Sequence, residues 1–276
     1  MSTAAEQGVE TIFSLRGVRY AYPGEITALA QVNLEVLRGR HVVILGANGS
    51  GKSTLLKIMA GLYFPAAGEV AAFGRPLTER ALEDDAFAFA FRRRVGLIFQ
   101  DPEVQLFSAT VWDEVAFAPL QLGWSADEVR ERVEARLEWL GLTPLRDRPP
   151  YRLSGGEKRK VALAAVLVVE PEVLLLDEPT AFLDPRSRCQ LFDYLFEWGQ
   201  RGGTIIAATH DLEFAEDVAR YAYVLDHGQV LAEGVSGSIL ADEGLLERAN
   251  LIHDHKHCHG DTVHSHRHGH GVHAHG

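Results

Sequence analysis

Short, unbroken apolar runs recur along the chain and predict the strands of a buried sheet. Four of them lack the alternation with polar residues that a half-exposed strand shows, namely residues 41–45, 95–99, 173–176 and 204–209. Continuous apolar character over so short a length is typical of parallel strands that are covered on both faces. The pattern therefore predicts an α/β fold with a parallel sheet at its core.

Two further regions predict antiparallel strands. Residues 12–15 and 18–22 are rich in β-branched and aromatic side chains, and a Pro-Gly turn follows them. Residues 223–231 predict a hairpin that turns at a His-Gly pair. We therefore expect an antiparallel β subdomain at the N-terminus beside the parallel core.

Helical periodicity lies between the strands. A capping box of Ser125 and Glu128 precedes four apolar residues at helical spacing, Val129, Val133, Leu137 and Leu140. Shorter helical runs cover residues 54–60 and 158–169. The pattern predicts an inserted α-helical subdomain over about residues 103–168, and the sequence has no internal repeat.

Composition excludes several classes of protein. Of the 276 residues, 46% are hydrophobic, which excludes a disordered or fibrous chain. The formal net charge of −11 argues against nucleic acid as a partner. The two cysteines, Cys189 and Cys258, cannot build a disulfide framework, so a reducing compartment is expected. Residues 1–10 do not resemble a signal peptide, and no apolar run is long enough to span a membrane.

The C-terminal segment departs from this composition. Residues 253–276 offer too few apolar groups to offset the entropy of ordering, so residues 246–276 are expected to be a disordered tail. The tail follows a domain over residues 11–245, and residues 1–10 form an N-terminal extension. Ten of the 13 histidines lie in this tail: His253, His255, His257, His259, His264, His266, His268, His270, His273 and His275.

Alternating histidines predict a metal site in the tail. Imidazole suits nickel, cobalt, zinc and copper, and Cys258 adds a soft ligand. The eight histidines between residues 253 and 270 are the expected ligands, with an affinity that falls as the pH drops through about 6.5. An inert low-complexity tail and a purification aid are the alternative interpretations.

One glycine-rich segment matches a phosphate-binding loop in full. It comprises Gly46, Ala47, Asn48, Gly49, Ser50, Gly51, Lys52 and Ser53. The segment lies between a predicted strand and a predicted helix, where backbone N–H groups and the helix dipole favour an anion. Lys52 is expected to reach the β- and γ-phosphates, and the Ser53 hydroxyl to hold Mg²⁺. A chance glycine-rich turn is the alternative.

Two acidic residues follow the predicted strand at 173–176. Asp177 and Glu178 therefore lie at the carboxyl end of a parallel strand, where ligands bind in such sheets. We expect Asp177 to hold Mg²⁺ and Glu178 to polarise the attacking water.

A second anion cradle is predicted at residues 153–157. Ser154, Gly155 and Gly156 open a helix, while Glu157 completes a capping box with Ser154. One nucleotide has no evident use for two cradles on one subunit. Two subunits arranged head to tail would use both, because each cradle would then cap the γ-phosphate held by the partner.

These motifs, in this order, resemble those of ATP-binding-cassette (ABC) ATPases over about residues 10–240. The resemblance implies a P-loop NTPase fold, with ATP and Mg²⁺ as ligands. It implies that Tyr22, rather than Tyr20, stacks on adenine and that Thr54 belongs to the nucleotide site.

The same resemblance assigns roles outside the loop. It implies that Gln100 contacts Mg²⁺ and the attacking water and that His210 contacts the γ-phosphate. Asp184 is expected at the dimer seam, where it acts in trans with Ser154, Gly155 and Gly156. Glu157 and Phe182 depart from the commoner glutamine and small residue, so Glu157 receives no nucleotide contact.

Residues 99–107 and 115–123 are similar to the ATPases of energy-coupling-factor importers, above all those for cobalt and nickel. This resemblance implies an ATPase at the cytoplasmic face of a membrane. Its implied partners are a second copy or a paralogous ATPase, together with transmembrane and substrate-binding subunits. An ordinary apolar surface is the alternative interpretation of these residues.

Three other functions remain open. An energy-coupling ATPase for a vitamin shares most of these features. A nickel-insertion chaperone GTPase also joins a phosphate loop to a histidine-rich segment, but the chain lacks an Asn-Lys-x-Asp string for guanine. A soluble ABC protein of repair or translation usually has two cassettes or long coiled-coil insertions, whereas this chain has neither.

Overall fold

The computed structural model describes residues 10–181, 183–259 and 262–269, with side chains as far as Ile252. The described strands are β1 (Thr11–Tyr22), β2 (Ile26–Leu37), β3 (His41–Leu45), β4 (Ala67–Ala72), β5 (Arg75–Pro76), β6 (Val95–Ile98), β7 (Val173–Asp177), β8 (Thr204–Thr209), β9 (Tyr221–Asp226), β10 (Gln229–Val235), β11 (Ile252–His259) and β12 (Thr262–Gly269).

The described α-helices lie between these strands and toward the C-terminus. They are α1 (Lys52–Met59), α2 (Glu79–Leu82), α3 (Asp85–Arg94), α4 (Val111–Gln121), α5 (Ala126–Trp139), α6 (Gly155–Leu167), α7 (Pro185–Gln200), α8 (Leu212–Val218), α9 (Ser236–Leu240) and α10 (Glu243–Arg248). Contacts divide the chain into a first unit of residues 1–79 and 204–276 and a second unit of residues 80–203.

The first unit contains both antiparallel and parallel strand pairs. Strand β1 pairs antiparallel with β2 and β4, and β9 pairs antiparallel with β10. Strand β3 is flanked by β8 and β9, both parallel to it, and all but its first residue are fully buried. The predicted strands at 41–45 and 204–209 are thus confirmed. The two predicted N-terminal strands form one strand, β1, whose register against β2 shifts between Leu15 and Val18.

The predicted hairpin in this unit turns at His227 and Gly228. Both residues have positive φ, +44° and +74°, as a tight antiparallel turn requires. A Cβ on Gly228 would lie 2.6 Å from the carbonyl oxygen of Ala28, so this turn admits no larger residue at its second position. The turn also accepts a hydrogen bond from the backbone N–H of Ala30, which ties it to β2.

The second unit joins two parallel strands to helices. Strands β6 and β7 pair from Val95 with Val173 to Ile98 with Leu176. The helix predicted after Ser125 is α5, in which Val129, Val133 and Leu137 are buried, as is Leu140 at the C-cap. The Ser125 hydroxyl accepts a hydrogen bond from the backbone N–H of Glu128 at 3.3 Å. The predicted strands and the amphipathic helix of this unit are therefore confirmed.

All the tryptophans of the chain belong to the second unit. They are Trp112, Trp124, Trp139 and Trp198. Trp198 is buried near the end of α7, where a Cβ added to Gly203 would lie 2.4 Å from its indole ring. The indole of Trp139 donates to the carboxylate of Glu197 at 2.8 Å.

The predicted tail over residues 246–276 is described only in part, and its expected disorder stays a prediction. Helix α10 ends within its first residues, and β11 and β12 then pair as an antiparallel two-stranded sheet. Residues 260, 261 and 270–276 lie outside the described residues, and so does the N-terminal extension as far as residue 9. Among the described helices, none combines the length and apolar character that crossing a membrane requires.

Candidate functional site

The glycine-rich loop follows directly from the buried strand β3 and ends at the first residue of α1. Gly46 packs so closely that a Cβ there would lie 2.4 Å from the carbonyl oxygen of Leu225. Gly51 has φ +105°, and a Cβ there would lie 2.5 Å from the carbonyl oxygen of Ala28. The backbone of the loop therefore requires glycine at both positions.

Lys52 and Ser50 give this loop the chemistry of a phosphate cradle. The Lys52 side chain is 5% exposed, and its ammonium donates to the carbonyl oxygens of Gly46 at 2.7 Å and Ala47 at 3.1 Å. The Ser50 hydroxyl is buried and makes no hydrogen bond within the described part of the chain. A cation that faces the loop and an unmatched buried hydroxyl fit the oxygens of a phosphate group. Ser53, which follows Lys52, is half-buried in the first turn of α1.

A tyrosine cluster lies beside the first turn of α1. The Tyr22 hydroxyl lies 2.9 Å from the Thr54 hydroxyl, next to the loop. Tyr20 stacks instead on Tyr63, with ring planes 1° apart, and the Tyr22 ring packs edge-on against both. Tyr20 and Tyr22 were the two tyrosines considered from the sequence, and Tyr22 is hydrogen-bonded to α1, the helix that follows the glycine-rich loop.

His210 follows the strand that neighbours β3. Leu45, the last residue before the loop, pairs with Thr209, the last residue of β8. The loop and His210 therefore leave the sheet at the same edge. Asp211 caps α8 by accepting from the backbone N–H of Phe214 at 3.1 Å, which fixes the backbone just after His210.

In the second unit, strand β7 delivers both predicted acids to a buried position. Every residue of β7 is buried, including Asp177 at its end, and Glu178 is 4% exposed. Glu178 has φ +42°, a left-handed conformation that costs a non-glycine residue roughly 1–3 kcal/mol. Such local strain needs support from the surrounding structure.

Gln100 follows strand β6 and is exposed. The strand end before it is held by Gln105, whose side-chain oxygen accepts from the backbone N–H of Phe99 at 3.4 Å and whose nitrogen donates to the carbonyl oxygen of Leu97 at 3.5 Å. Asp101 begins the short turn that follows, by accepting from the backbone N–H of Glu103 at 2.8 Å.

Sequence reasoning missed Arg159, a buried residue of α6. Its guanidinium donates to the carbonyl oxygen of Phe99 and, at 2.7 Å, to that of Glu178. It thereby connects the backbone beside Gln100 with the backbone of the second predicted acid. A basic residue in a helix gives no periodic signal for partners 60 and 19 residues away.

The second cradle begins α6 three residues before the predicted start of the helix. Ser154 is the N-cap, and its hydroxyl accepts from the backbone N–H of Glu157 at 3.3 Å. The Glu157 carboxylate accepts in turn from the Ser154 backbone at 2.8 Å, which confirms the capping box. The Ser154 backbone N–H and the Ser154 hydroxyl both donate to this carboxylate, and these two hydrogen bonds lower the pKa of Glu157 below its usual value. Gly155 is open to solvent, with nothing within 4 Å of an added Cβ.

Asp184 lies close to this cradle. It caps α7 by accepting from the backbone N–H of Ser187 at 3.0 Å and from its hydroxyl at 2.7 Å, and these hydrogen bonds lower the pKa of Asp184. The same Ser187 hydroxyl would lie 3.2 Å from a Cβ on Gly156. The second unit thus brings together Ser154, Gly155, Gly156 and Asp184, the residues predicted to act in trans. Phe182 lies outside the described residues.

An apolar patch lies on the second unit between Gln100 and α5. It consists of Val104, Phe107, Phe117 and Leu120, all exposed. The rings of Phe107 and Phe117 meet edge to face, with their centroids 4.9 Å apart. Buried Glu114 orders the loop before α4 by accepting from the backbone N–H groups of Phe107 and Ser108 at 2.9 and 2.7 Å.

Comparison with known proteins identifies the family. Residues 29–181 match the family model described as ABC transporter. The chain belongs to the ABC transporter family. It is an ABC-type ATPase, and the expected P-loop fold with a parallel core and antiparallel N-terminal strands is confirmed. The phosphate loop, the acids after β7 and the second cradle belong to this ABC cassette.

Two relatives and two solved structures indicate where this cassette lies within the family. It is 52% identical to the nickel import ATP-binding protein NikO of Rhodobacter capsulatus, over 87% of the chain and 95% of that protein. It is 41% identical to the energy-coupling factor transporter ATP-binding protein EcfA of Methanothermobacter thermautotrophicus, over 87% of the chain and 76% of that protein.

Among solved structures, the cassette is similar to cbiO1 from Clostridium perfringens, part of the ABC transporter complex cbiONQ. The TM-score is 0.73 and the identity 35%, covering 88% of this chain and 95% of that one. It is also similar to a dimeric ATP-binding cassette in a post-hydrolysis state bound to ADP and Pi, with a TM-score of 0.74, 30% identity, and coverage of 82% and 99%.

Proposed function

We propose that this ATPase energises the import of a divalent transition metal, nickel or cobalt, through an energy-coupling-factor type transporter. The observation that carries the proposal is the 52% identity to a nickel import ATP-binding protein over nearly the whole length of both chains. The likeness to a cassette of the cbiONQ complex supports the same transporter type. A second candidate, import of a vitamin, is favoured by the 41% identity to EcfA.

The proposed roles follow from the chemistry of each residue. Lys52 binds the β- and γ-phosphates, while Ser53, Asp177 and Gln100 hold Mg²⁺, which offsets negative charge on the phosphates when it is bound. The Glu178 carboxylate accepts a hydrogen bond from the attacking water and so polarises it. His210 contacts the γ-phosphate. Tyr22 and Thr54 border the adenine side of the site.

Four further residues are proposed to act on the ATP of a partner subunit. Two copies, or this chain and a paralogous ATPase, would pair head to tail, so that Ser154, Gly155, Gly156 and Asp184 face the ATP of the partner. The open approach to Gly155 and the hydrogen-bonded placement of Asp184 support this arrangement. The dimeric, ADP-bound state of a similar cassette supports it as well.

The apolar patch supports a membrane partner. Four exposed apolar side chains within 17 residues, with two aromatic rings in contact, leave a surface suited to an apolar helix. Transmembrane and substrate-binding subunits would thus recruit the ATPase to the cytoplasmic face of the membrane through protein contacts.

Uptake in cells tests the choice of cargo. A strain that lacks this chain but keeps its membrane partners should lose accumulation of labelled nickel or cobalt, and the wild-type chain should restore it. Lys52→Ala should fail to restore uptake. Lys57→Ala is the matched control, because the Lys57 ammonium lies over the Tyr63 ring at 5.4 Å and not in the loop. Unchanged uptake of both metals in the deletion strain would exclude the metal importer, and loss of vitamin uptake instead would establish the second candidate.

We further propose that the tail binds divalent transition-metal ions. The register of β11 and β12 supports this, because it pairs His253 with His268, His255 with His266 and His257 with His264. Paired residues of an antiparallel ladder lie about 4.5–5.5 Å apart at Cα, so the backbone brings these six histidines together in three pairs. The expected ligand role of these histidines and of His259 and His270 lies outside the described side chains. Among the side chains that the structure describes, there is no cluster of three or more metal-binding residues.

Calorimetry with nickel and cobalt on the full-length protein tests this tail site. The double variant His255→Ala/His266→Ala removes the middle pair. It should weaken binding about tenfold or more, because a site built from the middle pair and either neighbouring pair loses two of its imidazole ligands. The matched control His273→Ala/His275→Ala removes the same number of imidazoles from outside the hairpin and should bind as the wild type does. Equal losses in both double variants, or no loss in either, would refute the paired site. Any imidazole site binds nickel more tightly than cobalt. Tighter binding of nickel by the tail would therefore not indicate which of the two metals the transporter imports.

A further inference from the structure

Arg159 occupies an unusual position for a charged side chain. It lies in the second turn of α6 and is only 5% exposed. Burial lowers the pKa of its guanidinium, while the negative charges of Asp177, Asp101 and Glu178 act to raise it. A guanidinium remains protonated in proteins, so a full positive charge is buried among three carboxylates.

The side chain donates to main-chain carbonyls on two different segments. One donor group contacts the carbonyl oxygen of Phe99, and the other contacts that of Glu178 at 2.7 Å. The planar, rigid fork of arginine fixes two acceptors relative to each other, which the single ammonium of a lysine cannot do. One acceptor, Glu178, is itself a proposed catalytic residue. The other, Phe99, directly precedes Gln100, which is also a proposed catalytic residue.

The contact to Glu178 reaches a residue whose backbone is strained. Glu178 has a left-handed backbone, and its carbonyl oxygen accepts from the backbone N–H of Ala181 at 3.1 Å as well as from Arg159. The direction of the Glu178 side chain depends on this backbone conformation. Losing one of the two hydrogen bonds would leave a buried carbonyl less well satisfied and the strained conformation less well held.

We propose that Arg159 is a positioning residue for ATP hydrolysis, which holds the backbones of Glu178 and Phe99 together so that the Glu178 carboxylate and the Gln100 amide keep one relative placement. This inference rests on the proposed function, in which both side chains act at the reacting phosphate. The hydrogen bonds of Arg159 go to main-chain carbonyl oxygens. Its effect is transmitted through the main chain.

Steady-state kinetics and nucleotide binding of the full-length protein test the inference. Arg159→Met should lower kcat about 10- to 100-fold, because a displacement near 1 Å of a catalytic group can cost 10²-fold. Its ATP affinity should stay within about threefold of wild type, since Lys52 and the phosphate loop are unchanged. Arg159→Lys keeps the charge and one hydrogen bond, and should retain an intermediate kcat. Lys160→Met, the next residue of α6, is the matched control and should hydrolyse ATP as the wild type does.

A double variant separates positioning from general damage to the fold. If Arg159 acts through Glu178, then Arg159→Met added to Glu178→Gln should slow hydrolysis little beyond Glu178→Gln alone. Multiplying losses, a wild-type kcat for Arg159→Met, or weakened ATP binding in step with kcat would each overturn the inference. Should Arg159→Met fail to fold, the same comparison with Arg159→Lys decides. Near wild-type hydrolysis by Glu178→Gln alone would instead refute the proposed role of Glu178.

Discussion

At the scale of single residues, the site depends on charged groups that are held by the main chain. Lys52 is bonded to two carbonyl oxygens of its own loop, and Arg159 to two carbonyl oxygens of distant segments. Glu178 is buried and strained, and its backbone carbonyl accepts two hydrogen bonds. The side chains of Lys52 and Arg159 and the backbone of Glu178 are thus held by hydrogen bonds within the protein, as electrostatic catalysis by preorganised groups requires.

Glu178→Gln tests the catalytic carboxylate. We expect turnover to fall about 10²- to 10⁴-fold, or roughly 3–5.5 kcal/mol of barrier, because an amide cannot act as a base toward water. ATP binding should persist, so the variant should accumulate as an ATP-bound dimer in gel filtration. The exposed Glu216→Gln is the control and should leave the rate unchanged. Hydrolysis by Glu178→Gln at nearly the wild-type rate would remove Glu178 from this role.

At the scale of elements, α6 serves two ends of the site. Its first turn presents Ser154 and the two glycines to solvent, and its second turn buries Arg159. The remainder of the helix is anchored in the core by a run of apolar residues: Val161, Ala162, Leu163, Ala164 and Leu167. Helix α7 lies beside it, with Ser187 shared between Asp184 and Gly156.

Mixing two inactive variants tests whether α6 acts on the nucleotide of a partner. Lys52→Ala damages the site in its own subunit, while Ser154→Arg damages the site of the partner. A mixed dimer should contain one intact composite site, so the mixture should hydrolyse ATP well above either parent. Mixing Lys52→Ala with Glu178→Gln is the control, because both lesions fall on a subunit's own nucleotide and no intact site forms. Equally inactive mixtures would contradict the head-to-tail arrangement.

The elements that the sequence predicted are those whose signal is local. Continuous apolar runs predicted β3, β7 and β8, because a strand buried on both faces has no polar alternation. The predicted helical run began at residue 158, but the predicted capping box of Ser154 and Glu157 already indicated that α6 begins directly after Ser154. This signal is also local, because the two side chains satisfy N–H groups of the first turn.

What the sequence did not reveal depends on contacts between distant segments. The role of Arg159 requires three segments to meet, and no spacing along the chain encodes that meeting. The role of buried Glu114 was not predicted either. Its carboxylate accepts hydrogen bonds from two backbone N–H groups of the loop before α4, and only the folded structure shows these bonds.

At the scale of the whole molecule, charge and surface chemistry determine which partners are accessible. A net charge of −11 repels anionic lipid headgroups, so electrostatics alone would not hold this ATPase at a membrane. The apolar patch around Phe107 and Phe117 is the surface through which we propose attachment to a protein already in the membrane. The family, the relatives and this surface therefore agree on a subunit that works within a transporter.

The placement of the tryptophans has a spectroscopic consequence. Light at the long-wavelength edge of the near-ultraviolet absorption band excites tryptophan alone. The tryptophan fluorescence of the protein therefore reports only on residues 80–203. Tyr20, Tyr22 and Tyr63, in the other unit, remain silent under such excitation. Emission therefore monitors the second unit, whereas far-ultraviolet circular dichroism monitors the backbone of both units. Denaturation curves from the two signals will coincide only when both units lose their structure in a single cooperative event.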